Sequence, residues 1–254
     1  MGSEAYGDLA AVYEWCLDDA IITPEGQVAA FATILDGLAP GSRILDCAAG
    51  TGLLAVGLAL AGFEVTASDL SEAMLARARD LAAERGVALE PVRCAWEDLG
   101  DQGWEARFDA VLCVGNSLAH APGEASRRAA LRAMAGVLAP GGRLVVTARN
   151  WELLRASGTH VRIDERVRVR RTRRAVVIQA WTVPDAWDAP HLQDVRVAEL
   201  GADDAVTVTG ERLTVWPFRH QELAADLAAA GLVAATSTYD PAAGRYLMTA
   251  RKPG

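Results

Sequence analysis

The 254-residue chain is poor in positive charge, in histidine and in long apolar runs, and each shortage excludes something. Its 25 lysines and arginines face 33 aspartates and glutamates, a net charge of −8. Nucleic-acid phosphates need a positive footprint, so nucleic acid is not the expected partner. No apolar run approaches the roughly 18 residues of a membrane span. The start, MGSEAYGDLA, has neither the basic nor the apolar stretch of a secretion signal. No membrane partner and a cytoplasmic location are therefore expected. The four cysteines, Cys16, Cys47, Cys94 and Cys113, show no CxxC spacing, and the four histidines are scattered. No metal site is expected, and the thiols read as small buried side chains in a reducing compartment.

What the chain does have is alternation. Val28, Phe31, Ile34, Leu35 and Leu38 recur at helical spacing within the first forty residues and stop at Pro40-Gly41. Strand-like runs at 43–47, 63–68, 92–95, 108–114 and 143–148 then alternate with helical ones at 53–61, 71–86 and 124–138. Ser71 is placed to cap the second of these helices, with Met74, Leu75, Ala78 and Leu81 on its buried face. Such a rhythm predicts a parallel sheet with helices on both faces. Between 161 and 214 the period falls to two (RVRVR, AVVIQAW, VRVAEL), which predicts antiparallel strands wetted on one face. A helix at 219–230 and a strand at 245–250 follow. The expected layout is an N-terminal helical lid (1–40), an α/β core (41–150), an antiparallel insertion (151–215) and a C-terminal helix and strand completing the core (216–254).

The stretch LDCAAGTG, residues 45–52, carries the first chemical signal. It runs a strand into a helix through a glycine turn, where bare backbone can approach a ligand at the carboxyl end of the sheet. The second strand-like run is followed by Asp69, placed to accept from ribose hydroxyls. The turn has only the end of a GxGxxG dinucleotide fingerprint, and Asp46 would repel a pyrophosphate. A nucleoside with a cationic end suits it better, which points to S-adenosylmethionine.

LDCAAGTG followed by VTASDLSEAML resembles the corresponding motifs of class I S-adenosylmethionine-dependent methyltransferases, over residues 40–150. The resemblance implies a Rossmann-like seven-stranded sheet with an antiparallel β insertion after the fifth strand. It implies S-adenosylmethionine as cofactor, S-adenosylhomocysteine as product, and no metal. By match, Asp46, Ala48, Gly50 and Gly52 would hold the methionine part and Asp69 the ribose. Leu70 and Met74 would flank adenine, with Ala95 and Trp96 on its far side. Cys113-Val-Gly-Asn-Ser-Leu-Ala-His120 and Ala148-Arg-Asn-Trp151 resemble segments of the glycine N-methyltransferase group. That adds Cys113 to the cofactor wall and gives Asn116 and Arg149 a substrate carboxylate, which a guanidinium binds through charge-assisted bonds. Trp151 stands where the group has tyrosine, Trp181 is the nearest match to its insertion tyrosines, and Tyr6 matches a lid tyrosine facing the sulfonium. Tyr13 and Trp15 form a further candidate aromatic pair. Indoles in place of phenols argue for a substrate larger or more apolar than glycine.

Simpler roles stay open. Arg149 could pair with an internal acid, and His120 could make a helix-entry hydrogen bond. Arg162, Arg166, Arg168, Arg170, Arg171, Arg173 and Arg174 could form a solvated face or steer an anionic substrate. The expected activity is N-methylation of a small amine or amino acid bearing a carboxylate. O- or C-methylation of a natural product, for which His120 is the candidate base, and a non-catalytic S-adenosylmethionine-binding regulator are the alternatives. A homo-oligomer stays open.

Overall fold

The computed structural model describes residues 6–202 and 205–254. Residues 1–5 of the expected lid lie outside the described residues. The described chain begins with a 3₁₀ helix over Leu9–Cys16, then α1 (Pro24–Ala30) and α2 (Ala32–Leu35). Next come β1 (Arg43–Asp46), α3 (Leu53–Leu60), β2 (Glu64–Asp69), α4 (Glu72–Glu84), β3 (Val92–Arg93), β4 (Phe108–Cys113), α5 (Gly123–Val137) and β5 (Leu138–Arg149). After the short α6 (Trp151–Ala156) the chain makes β6 (His160–Ile163), β7 (Arg168–Arg170), β8 (Arg173–Thr182), β9 (His191–Leu200) and β10 (Val206–Val215). It ends with α7 (His220–Ala229), β11 (Val233–Ser237) and β12 (Arg245–Arg251).

Seven strands form one sheet in the order β11-β12-β5-β4-β1-β2-β3. Its five central and outer members are parallel, while β12 runs antiparallel to both β5 and β11. The period-two pleat sends alternate residues to opposite layers. Ile44, Leu112 and Val145 pack with Ile34, Leu35, Leu54 and Leu58 on one side. Leu45, Val111, Leu144 and Val146 pack with Leu131, Met134, Leu223 and Leu227 on the other. Arg127 and Asp226, both buried, join α5 to α7 through an ion pair at 2.7 Å. Ser71 does cap α4, accepting from Met74 N at 3.4 Å.

Two local expectations change, and one strand is added. The helical stripe expected from Val28 to Leu38 breaks at Phe31, which sits at φ −106° and ψ 8° between α1 and α2. Here tertiary docking wins over periodicity: α1 lies so close to α3 that a Cβ on Gly57 would come within 2.8 Å of Val28 Cγ2. The strand expected at 143–148 begins at Leu138, because Gly141 and Gly142 pair with the backbone of Lys252 beyond β12. β11, edge strand of the large sheet, carries no periodic signal, since all five of its residues are exposed.

β10-β9-β8-β6 make a second, antiparallel sheet, with β7 also paired to β8. Its inner face buries Ala175, Val177, Val195, Val197 and Leu213 against Leu9, Val12 and Trp15 of the 3₁₀ helix. This packing places the 3₁₀ helix and the small sheet over the carboxyl ends of β1, β2, β4 and β5.

Candidate functional site

The space enclosed there is a cavity of about 660 Å³, within the range of small-molecule sites. Asp46, Ala48, Gly50, Asp69, Leu70, Ala95 and Trp96 line one part of it, and Tyr6, Asn116, His120 and Arg149 also line it.

The glycine turn is braced by Asp69, whose carboxylate accepts from Gly50 N at 2.8 Å and from Ser71 N at 2.9 Å. Gly50 has φ +53°, and a Cβ there would meet nothing within 4 Å, so the turn presents open backbone to the cavity. Asp46, 1% exposed, has a buried Oδ1 without a hydrogen-bond partner. Burial pushes its carboxyl up to about 7; the Ala48 backbone N–H opposes that shift and the Asp69 charge adds to it. A cation brought by a ligand would satisfy this oxygen and restore its ionised form. Trp96 is anchored by donating Nε1–H to Cys47 O at 2.7 Å. An orphaned carboxylate oxygen beside open backbone, with an acid and an indole further along, fits the ammonium, sulfonium and nucleoside of S-adenosylmethionine.

Above this floor, the Tyr6 hydroxyl and His120 Nε2 are 2.8 Å apart. His120 also bonds the Thr214 backbone, and burial lowers its pKa to about 4. A ring donating to that carbonyl leaves Nε2 to accept the tyrosine proton. Tyr6 is itself held protonated far above its ordinary range, first by burial and then by Tyr13 and Asp69. The pair is neutral throughout the physiological range.

Asn116 has φ +69°, a left-handed conformation that asparagine tolerates, and its Oδ1 accepts from Arg149 N at 2.8 Å. The Arg149 guanidinium lies 4.8 Å from the Trp181 ring centroid, and its buried Nε has no hydrogen-bond partner. Burial, then Arg245 and Arg162, lower its pKa to about 10. No salt bridge to Arg149, Arg162 or Arg245 forms among the described residues. Among the described residues, therefore, no internal acid neutralises Arg149.

Five expected site residues do not reach the cavity. Gly52, at φ +79°, is required by packing, because a Cβ would stand 2.7 Å from Ala78 Cβ on α4. Met74 and Cys113 are core residues, 2% and 0% exposed. Trp151 is fully buried, edge-on to Trp181 and His191, while Trp181 faces a separate cavity of about 190 Å³ behind Arg149. The two indoles thus back the guanidinium instead of replacing phenols in the substrate wall. The Tyr13–Trp15 pair does not form either: Tyr13 packs edge-on to Tyr6, and Trp15 lies beneath Arg170 and Arg173.

Several wall residues escape sequence reasoning. Gln179 on β8 and Gln193 on β9 line the cavity in the same strand phase as buried Val177 and Val195. Glutamine in the buried phase of an alternating strand is the signal that could have found them. Tyr246 also lines the cavity, with a buried hydroxyl that has no partner. Among the described residues no cluster of three or more His, Cys, Asp or Glu side chains could hold a metal ion. No described helix is long and apolar enough to cross a membrane.

Residues 44–142 match the methyltransferase domain family. Over 111 residues the chain is 40% identical to a glycine/sarcosine N-methyltransferase of Halorhodospira halochloris, covering 44% of this chain and 41% of that protein. Over 119 residues it is 43% identical to a ubiquinone biosynthesis O-methyltransferase of Alkalilimnicola ehrlichii, covering 47% and 46%. Each match thus spans less than half of the curated relative. The structure of the CcbJ methyltransferase from Streptomyces caelestis is similar over the whole of both chains, with 25% identity and a TM-score of 0.75.

Proposed function

From the premise that this chain carries a methyltransferase domain over residues 44–142, with the fold of class I S-adenosylmethionine-dependent methyltransferases, we propose that it N-methylates a small amine bearing a carboxylate. The observation that carries this reading is Arg149: a buried guanidinium in the cavity wall with cations for neighbours and an unsatisfied Nε. A substrate carboxylate supplies the missing charge, and the amide nitrogen of Asn116, whose oxygen is already held by Arg149 N, supplies a second donor.

When bound, S-adenosylmethionine supplies an electrophilic methyl on a sulfonium. Asp46 would hold its ammonium, Gly50 would let the methionine part approach, and Asp69 would take the ribose. Ala95 and Trp96 would lie on one side of adenine and Leu70 on the other. Arg149 and Asn116 would hold and orient the amine, so alignment in a water-poor cavity would do most of the work. Residues 6–21 act as the lid, with the Tyr6 hydroxyl aimed by its hydrogen bond to His120. A neutral amine needs no strong base during transfer, and a His120 with a pKa of about 4 is too weak to be one. The same weakness counts against a phenol or enol substrate, although the O-methyltransferase relative keeps that reading open.

Incubation with methyl-labelled S-adenosylmethionine and a panel of amino acids, amines and phenols tests the proposal. Label is expected on the nitrogen of a carboxylate-bearing amine. Arg149→Ala is expected to raise KM for that amine about 10- to 100-fold, the equivalent of one charge-assisted bond, with cofactor affinity unchanged within about twofold. Label on phenolic oxygen alone, or loss of cofactor binding in the variant, would overturn it.

A further inference from the structure

The outer face of the small sheet is built for contact. Ten large apolar side chains are exposed among the described residues, and six of them (Val161, Ile163, Val167, Val169, Val206 and Val208) lie on or beside the strands of the small sheet. The strand registers put them together. Val208 stands opposite Ala198, which stands opposite Val176; Ile163 stands opposite Ile178, and Val161 opposite Ala180. All occupy the phase opposite to Val177, Val195 and Val197, which are buried against the 3₁₀ helix. Val169 shares that outward phase through its pairing with Arg174, and Val167 lies two residues before it. Scattered exposed valines are ordinary, but a contiguous set on one flat face marks an interaction site.

The charged side chains on this face are already hydrogen-bonded. Asp194 accepts from both Arg196 and Arg212 at 3.0 Å, and Arg174 donates to Gly201 O. The face is therefore an apolar band beside a short row of guanidiniums that already donate to Asp194 and to Gly201 O. A net charge of −8 also opposes an anionic lipid surface. Four strand widths of ~4.8 Å and ten residues at ~3.3 Å give a flat footprint of about 600 Å². A stable interface needs about 800 Å² of accessible surface per partner, and a corrugated face of this footprint comes close to that.

We infer that this face packs against the same face of a second copy of the chain, forming a two-fold sheet-on-sheet dimer. The consequence reaches the cavity, because β8 and β9 carry Gln179, Gln193 and Val195 on their other side. Clamping the outer face holds that wall still. The inference does not depend on the proposed reaction.

Size-exclusion chromatography with light scattering on the full chain tests it, alongside S-adenosylhomocysteine titration. The native protein is expected at twice the chain mass. Val208→Lys and Val169→Lys, each at an exposed position, are expected to raise the dimer dissociation constant at least about 100-fold and to leave the far-UV spectrum and S-adenosylhomocysteine affinity unchanged. Val233→Lys, an exposed apolar site on the large sheet, is expected to stay dimeric. A native chain that is monomeric at 50 µM (about the highest working concentration) would overturn the inference, as would a dimer insensitive to both lysines. Monomers that co-float with phosphatidylserine vesicles would assign the face to membrane instead. Failure of the methyl-transfer assay with the dimer intact would strike only the proposed activity.

Discussion

Asp46 shows how one side chain records an absent partner. Burial raises its carboxyl to about 7, so the ligand-free fold holds a proton that the unfolded chain releases near pH 4. Between those values the ionised form is disfavoured in the fold, and stability from this group declines as pH rises towards 7. A ligand ammonium reverses the preference. The affinity of S-adenosylhomocysteine, which keeps the ammonium, is therefore expected to rise up to about tenfold per pH unit from pH 6 to 7 and to level off above it. Asp46→Asn is expected to bind more weakly and to abolish the slope, both readable by calorimetry. A native slope that is flat across this range would mean the oxygen meets no cation. Gly50 and Gly52 make the complementary point. They look interchangeable in the motif, yet one faces the cavity and the other packs against Ala78.

At the scale of elements, the arginine-rich strand has a role that alternation alone did not reveal. Arg168 donates to Leu17 O at 2.7 Å, and Arg170 donates to Leu17 O at 2.8 Å and to Glu14 O. These are carbonyls at the end of the 3₁₀ helix; Leu17 follows its last residue, and Glu14 O also accepts from Leu17 N at 3.1 Å. The Arg170 guanidinium also lies 5.2 Å from the Trp15 ring centroid. Arg168 and Arg170 thus clasp the lid, while Arg162, Arg166, Arg171, Arg173 and Arg174 stay exposed. Arg170→Ala is expected to speed amide exchange over residues 9–17 by about tenfold, leaving β1, β4 and β5 protected. It is also expected to raise KM for both substrates. Unchanged exchange in that segment would remove the clasp from the account. β1 and β4 were legible because each buries a run of apolar residues bounded by turns. β11 was not, because its five exposed residues take their place only from pairing with β12.

Across the whole molecule, one cavity ties together the large sheet, the small sheet and the N-terminal segment. A ligand spanning it should stabilise them together. At a hundredfold excess over Kd, S-adenosylhomocysteine is expected to add about 2.7 kcal/mol. For a chain of this length that is a rise in Tm of roughly 5–10 °C, seen as a single calorimetric transition. Two transitions with only one shifting would show that the sheets unfold separately.

The sequence by itself determined the βα alternation, the glycine turn, the acids at the ends of β1 and β2, and the change to period two after β5. Each is written within about a dozen neighbouring residues, where strand and helix periods and turn chemistry operate. Only the tertiary structure decided which arginines are occupied and which are bare. Arg170 meets Glu14 across 156 positions, whereas Arg149 is opposed by the charges of Arg245 and Arg162 and pairs with no acid among the described residues. It also decided that Trp151 and Trp181 stand behind the site and that Gln179 and Gln193 face into it. Whether a charge is paired, or a polar group left waiting for a ligand, depends on everything the fold brings near it, and no local stretch of chain holds that information.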